Sequence, residues 1–273
     1  MANIKAKHID IHPSVKIGKN VNIKCDNIKL GEACIIGDNV TIECRSFEVD
    51  SWLFMWHGAQ IGRGGCNGPN SNVKIGKGVG IFENAMINPS ESVEIGDNCA
   101  IASEAQLWTH GAWLDVMQGF PAVFGPIKVG NNVYITPRTV LLPNVTIGDN
   151  VVIGNNSVVN KSLPSGCFAA GIPCKVLKEN VYPKELNEEE RKTMIEDILS
   201  DWKVLCEYKG ISDGIETIYE NGRIFLNQKD LETIYNIDDR TIDGDINDIS
   251  EDLRDYLRRR GIKIYTDRFF KSI

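Results

Sequence analysis

The sequence predicts a mainly β protein: a parallel β-helix of about seven coils, followed by a helix and a small α/β C-terminal domain. Three observations lead there. Aliphatic residues recur every six positions in groups of three, the residue that follows them is repeatedly glycine in a turn-forming run, and the period changes after Pro183.

The triplets are Ile11, Ile17, Ile23; Leu30, Ile36, Ile42; Val49, Met55, Ile61; Ile75, Ile81, Ile87; Ile95, Ile101, Leu107; Val129, Ile135, Leu141; and Ile147, Ile153, Val159. Runs such as IGKNV and IGDNV follow many of these anchors, and Gly, Asn and Asp tolerate the positive φ of a tight bend. Four residues past the anchor, fifteen of the twenty-one positions hold Val, Ala, Ser, Thr or Cys. Two inward slots in every six residues describe a short strand and a bend, and three such units make one triangular coil. Stacked at about 4.8 Å per strand, seven coils rise roughly 30 Å. An amphipathic helix is excluded, because its apolar positions would recur at i, i+3 and i+4.

The coils are expected over residues 1–178, a linker and a helix packing back on the coils over 179–209, and the α/β domain over 210–273. Asn187 and Glu190 have capping-box spacing, and Met194, Ile195, Ile198, Leu199, Trp202 and Leu205 share one helical face. ETIYENGRIFLN reads as a hairpin about Asn221-Gly222. TIYNIDDRTIDG reads as a further strand pair or a strand with a turn. Ser250 opens a helix with acids in its first turn, Arg258, Arg259 and Arg260 in its last and Gly261 just beyond, as the helix dipole favours. That dipole explains the arginines better than a phosphate site does. IKIYTDRFF is expected to be a final strand.

Composition narrows the function classes. With 273 residues and 42% hydrophobic content the chain can bury a substantial core. A net charge of -7 argues against nucleic-acid binding, which calls for a basic stripe. The opening MANIKAKHIDIH lacks an apolar signal core and no run is long enough to span a membrane, so a cytoplasmic protein is expected. The eight cysteines show no C-x-x-C pair and are expected to be reduced, mostly as small core residues; Cys34 and Cys99 occupy the small inward slot.

Two breaks interrupt the repeat, and repeat proteins place function at such insertions. GRGGCNGPNSN, residues 62–72, suits either a ligand approached by backbone or a flexible connector. In the coil before it, Trp52, Trp56 and His57 suit subunit packing somewhat better than a platform for a flat ring. The longer break, WTHGAWLDVMQGFPAVFGPIK over 108–128, is the expected active-site loop and carries His110.

From the Thr-His pair, through PIKVGNNVYITPRTVLLPNVTIGDNVVIGNNSVV, to NKSLPSGCFAAGIPCKVLK, the chain resembles the hexapeptide-repeat acyltransferases. The resemblance covers roughly residues 9–178 and implies a left-handed coil, an acyl-CoA co-substrate with no permanently bound cofactor or metal, and a homotrimer with sites between subunits. It also implies His110 as general base, a role suited to imidazole near neutral pH. Glu104 and Asp115 are both candidates to orient it, and the resemblance to some nucleotide-sugar members implies the alternative of a reaction without such a histidine. By the same resemblance the CoA groove draws on Arg138, Lys161, Gly171 and Lys175. The family usually has glycine where Thr136 and Pro137 stand, which bears on the pantetheine channel.

The long aromatic loop and the α/β tail look like the nucleotide-sugar N-acyltransferases acting on dTDP-4-amino-4,6-dideoxyglucose in anthrose biosynthesis. This implies a nucleotide-linked amino sugar as acceptor, with Glu83, Asn84 and His57 as candidate substrate contacts. O-acetylation of a small hydroxylated compound or an antibiotic is the nearest alternative. A non-catalytic β-helix that assembles with partners is the alternative of another class. A γ-type carbonic anhydrase needs three zinc-binding histidines; only His57 and His110 lie near the middle of the coils.

Overall fold

The computed structural model describes residues 2–66 and 68–273, so Asn67 of the 62–72 break lies outside the described residues. The chain divides into two compact units, residues 1–184 and 185–273.

The first unit is the expected left-handed β-helix. Its strands form three parallel faces, of eight, seven and nine strands, the third ending in an antiparallel strand, Lys175–Lys178. Every predicted anchor stacks on its counterpart. On the first face Ile23, Ile42, Ile61, Ile87, Leu107, Leu141 and Val159 are in register. On the second Ile11, Leu30, Val49, Ile75, Ile95, Val129 and Ile147 align. On the third Ile17, Ile36, Met55, Ile81, Ile101, Ile135 and Ile153 continue to Ala169. The small slots fill the corners: Cys34, Val40, Ala59, Ala85, Ala105 and Val151 are fully buried.

All irregularity in this spacing is confined to one edge. Anchors on the second and third faces, and on the third and first, are always six residues apart. From first face to second the chain spends seven residues between Ile23 and Leu30, fourteen between Ile61 and Ile75, eight between Ile87 and Ile95, and twenty-two between Leu107 and Val129. Both breaks therefore lie on the same edge, with Pro89 to Ser92 between them along the axis. Elsewhere the corners are tight. Asn98, Asn132 and Asn150 adopt positive φ, and their amides stack at 2.8 and 3.0 Å.

The outer faces differ in chemistry. The second carries Asp10, Lys29, Glu48, Lys74, Glu94 and Lys128 side by side, each flanked by the opposite charge. The third presents Ile35, Phe54, Gly80, Ala100, Tyr134, Val152 and Phe168.

The C-terminal unit corrects three expectations. Helix α1, Glu188–Lys209, has the predicted Asn187–Glu190 capping box, but its apolar face is buried within the C-terminal unit's own core. Ile195, Leu199 and Trp202 cluster there with Ile224, Leu226, Tyr235 and Leu257, so the helix belongs with residues 185–273 and not with a linker. The hairpin turns at Asn221-Gly222, both at positive φ, and continues into strands Leu231–Asn236 and Thr241–Gly244 of a four-stranded antiparallel sheet. Helix α2, Asp248–Arg259, starts earlier than expected. Asn247 is its cap, and Ser250 is the residue that bonds back to it. Finally, residues 262–270 form no strand. The buried Arg254 guanidinium takes the carbonyls of Ile264, Arg268 and Phe269 at 2.8 to 3.0 Å, leaving that segment without a ladder. The arginine run behaves as helix-end chemistry, with Arg258 and Arg259 both on Asp255.

Candidate active site

The irregular edge gathers a polar cluster around His110. Strand Gln106–Trp108 ends on the first face, and the chain then leaves the coil as a two-stranded ribbon in which His110 pairs with Phe124 and Gly111 with Val123. Thr109, wholly buried, ties the base of this ribbon to the coil beneath. Its hydroxyl donates to the Asn88 carbonyl at 2.7 Å and accepts from the Glu91 amide at 3.0 Å. Its own carbonyl accepts from the Gly125 amide at 2.9 Å.

This anchoring fixes the imidazole. His110 Nδ1 lies 2.9 Å from Asn88 Oδ1 and 2.9 Å from Ser90 Oγ. The ring stacks on Phe124, with centroids 5.6 Å apart, and meets Trp108 edge-on at 6.2 Å. Asn88 is fully buried, and its Nδ2 donates to the carbonyls of Gly62 and Gly64 at 3.1 and 3.2 Å and to that of Arg63. The first break is thereby bound to the site of the second. Gly65 passes so close that a Cβ there would stand 2.7 Å from Ser90 Oγ and 3.8 Å from His110 Cε1. Burial pushes the neighbouring Cys66 thiol up to about 11, against the lowering effect of a hydrogen bond with Ser90, so it stays protonated at neutral pH.

The two acids weighed as partners of His110 are engaged elsewhere. Glu104 sits on the edge between the third and first faces and pairs with Arg138 at 2.9 Å. Asp115 caps a short 3-10 turn, Val116–Gln118, accepting from the Met117 amide at 2.9 Å. Around that turn the loop is open to solvent, with Trp113 95% and Met117 89% exposed.

The other candidates fall into two places. His57, Glu83, Asn84, Arg138 and Gly171 all follow third-face strands, on the edge shared with Glu104. There the Ser103 hydroxyl donates to Glu83 at 2.7 Å and, with a backbone donor and the nearby His57, holds its carboxyl below the usual range. Trp52 is buried in packing, whereas Trp56 is partly exposed against Phe54, centroids 4.7 Å apart. Lys161 lies past the last first-face strand and Lys175 opens the terminal strand of the third; both are exposed. Gly171 takes φ +107 and donates its amide to Ser157 Oγ at 3.0 Å.

Asn88, Ser90 and Gly65 were not singled out from the sequence, and Thr109 entered only as half of the Thr-His pair. The signal available was the stretched spacing of eight residues from Ile87 to Ile95, across NPSES, on the same edge as both breaks.

No helix among the described residues is long and apolar enough to cross a membrane. Residues 126–161 match the family of bacterial transferase hexapeptide (six repeats). Over 111 residues, 40% of the chain, the protein is 40% identical to the galactoside O-acetyltransferase of Escherichia coli (strain K12), covering 55% of that protein. It is also 41% identical over 115 residues to protein CapG of Staphylococcus aureus, covering 37% of this chain and 66% of CapG. The matches thus span between about half and two thirds of these relatives. Among solved structures, the polysialic acid O-acetyltransferase OatWY superposes with a TM-score of 0.51 at 18% identity, over 74% of this chain and 99% of that one, which shows a common fold. Repeat, register and sequence match agree, and the chain belongs to the hexapeptide-repeat transferase family.

Proposed function

We propose that the protein is an acyl-CoA-dependent acyltransferase that acylates a hydroxyl group of a carbohydrate, with His110 as general base. The observation that carries this reading is the imidazole held by Asn88 and Ser90 on the one edge where the coil opens. Similarity of the repeat to a galactoside O-acetyltransferase supports the carbohydrate acceptor.

Nδ1 is the engaged nitrogen, so Nε2 is the one that takes a proton. It removes the acceptor hydroxyl proton as the oxygen adds to the thioester carbonyl. The tetrahedral intermediate then collapses with cleavage of the C–S bond, and the imidazolium returns the proton to the leaving CoA sulfur. Arg138, Lys161, Gly171 and Lys175 are the proposed CoA contacts. Cations suit its phosphates in a chain whose net charge is negative, and a residue without a side chain at Gly171 leaves room for the ligand to approach the backbone.

The apolar third face, against the charged second, supports assembly as a homotrimer with sites between subunits. Eight buried cysteines, none of them in a disulfide among the described residues, support a reducing, cytoplasmic setting. A second reading is transfer to the amine of a nucleotide-linked amino sugar, with Glu83, Asn84 and His57 as acceptor contacts. The appended C-terminal unit and the exposed aromatic loop favour it.

Incubation with acetyl-CoA or longer acyl-CoAs and a panel of glycosides and amino-sugar nucleotides tests both, following free thiol release. Acceptor-dependent release is expected, cut by about 10²- to 10⁴-fold in His110→Ala. Hydroxylamine removes the acyl group from an ester but leaves an amide, which separates the two acceptors. No release with any donor and acceptor overturns the enzymatic reading, and a monomer by light scattering overturns the trimer.

A further inference from the structure

The polar chain behind His110 has a direction. Asn88 is fully buried, and one end of its side-chain amide faces three backbone carbonyls, those of Gly62, Arg63 and Gly64. Only the NH2 group can face them, because exchanging oxygen and nitrogen would set four acceptors together with no proton among them. The carbonyl end therefore faces His110 and Ser90. Oδ1 accepts from the Ser90 hydroxyl at 3.2 Å, and it stands 2.9 Å from His110 Nδ1, where as an acceptor it requires an N–H. Ser90 Oγ, its proton committed to Asn88, offers a lone pair to the same N–H at 2.9 Å.

We infer that Asn88 and Ser90 are positioning residues that hold His110 in the Nδ1–H tautomer, and that the backbone of the 62–64 segment sets this tautomer by orienting Asn88. The inference rests on the reading of His110 as base and deepens it. The imidazole is oriented by two neutral oxygens, where sequence had offered Glu104 and Asp115, and the first break in the repeat acts on the chemistry of the second. Information passes from a loop carbonyl through one amide to the ring nitrogen that must stay unprotonated. A side chain at position 65 would displace the Ser90 end of this chain.

The experiment reads the tautomer directly. Full-length protein labelled with 15N-histidine is studied by long-range 1H–15N correlation at a pH where the ring is neutral. His110 is assigned by the signals missing from His110→Gln. The expected pattern is a protonated Nδ1 and an unprotonated Nε2, retained in Ser90→Ala because Asn88 still accepts. Asn88→Ala is expected to move His110 toward the Nε2–H form. It should also lower kcat by about 10- to 100-fold while KM for the acyl donor stays within about twofold.

An Nε2–H pattern in the unmodified protein overturns the inference. So does a folded Asn88→Ala that keeps both the Nδ1–H pattern and full kcat. If Asn88→Ala does not fold, the unmodified protein and Ser90→Ala still decide, since the tautomer is read without turnover. Failure of the acyltransferase reading is separate: it shows as absent thiol release while the tautomer is still measured.

Discussion

His110 lies flat against Phe124, ring centroids 5.6 Å apart and planes inclined by 16°, because residues 110 and 124 are directly paired in the ribbon that leaves the coil. The ring is thus held by polar contacts at Nδ1 and by one apolar wall. Phe124 is itself 53% exposed, so it can be changed without opening the core. Phe124→Ala is expected to lower kcat about fivefold, the equivalent of roughly 1 kcal/mol for a lost ring contact. Phe124→Tyr should restore it. Steady-state kinetics with the acceptor found active check this, and unchanged kcat in Phe124→Ala would show that the polar contacts hold the imidazole alone.

Gly65 tests the other wall of the site. Its φ of +74 is costly for any side chain, and an added Cβ would stand 2.7 Å from Ser90 Oγ. Gly65→Ala is expected to cost about 1 to 3 kcal/mol of local stability and to reduce kcat more than it changes KM, by disturbing Ser90. Gly68→Ala, with open space around the Cβ position, is the control for loop substitution in general. Equal kinetic effects of the two changes would show that the close approach at residue 65 is irrelevant to turnover.

These contacts also explain what the sequence could and could not reveal. The coils were legible because inward residues repeat at a fixed period, and the hairpin because Asn221-Gly222 fits its turn in isolation. The partners of His110 were not, since Asn88 meets it only through stacking of coils joined by stretches of different length. Glu104 looked close at six residues away, but six residues carry this chain from one edge of the prism to the next. The final strand failed for another reason. Its apolar alternation was correct, but nothing local announced that Arg254, ten residues before Ile264, would take its carbonyls.

In the C-terminal unit, Asp252 joins α2 to α1 and to the chain end. It accepts from Trp202 Nε1 at 3.0 Å, from Lys209 Nζ at 2.6 Å and from the Ile273 amide at 2.9 Å. Burial pushes its carboxyl up, but these three donors outweigh burial and hold it below the usual value. A depressed folded value stabilises the unit above the unfolded pKa of about 3.9 and is lost as pH falls through the folded value. Hydrogen exchange of the α1 amides should therefore accelerate below about pH 4. Asp252→Asn should weaken protection already at pH 7, by about 3 kcal/mol if Lys209 is left unpaired, and flatten the acid dependence. Identical exchange in both proteins from pH 7 to pH 3 would place the acid-sensitive contacts elsewhere.

On the second face of the β-helix, the order Asp10, Lys29, Glu48, Lys74, Glu94, Lys128 sets opposite charges in register at each successive step from Asp10 to Lys128. Apolar stacking alone would tolerate any charge order on the outside of the sheet, so the alternation has its own effect: each rung is neutralised by the coils above and below. Lys74→Glu would set three carboxylates in a row at the spacing of adjacent strands. Exposed pairs are individually weak, so about 0.5 kcal/mol per reversed contact is expected, seen as a lower Tm. Raising salt from 20 mM to 500 mM should recover most of that loss, because the Debye length shrinks to roughly the spacing of the coils. Lys74→Gln, which removes the attraction without adding repulsion, should fall between the two. If the loss in Lys74→Glu persisted undiminished at high salt, its origin would be packing of the lysine stem against neighbouring strands, and the alternation would carry no electrostatic weight in holding the coils in register.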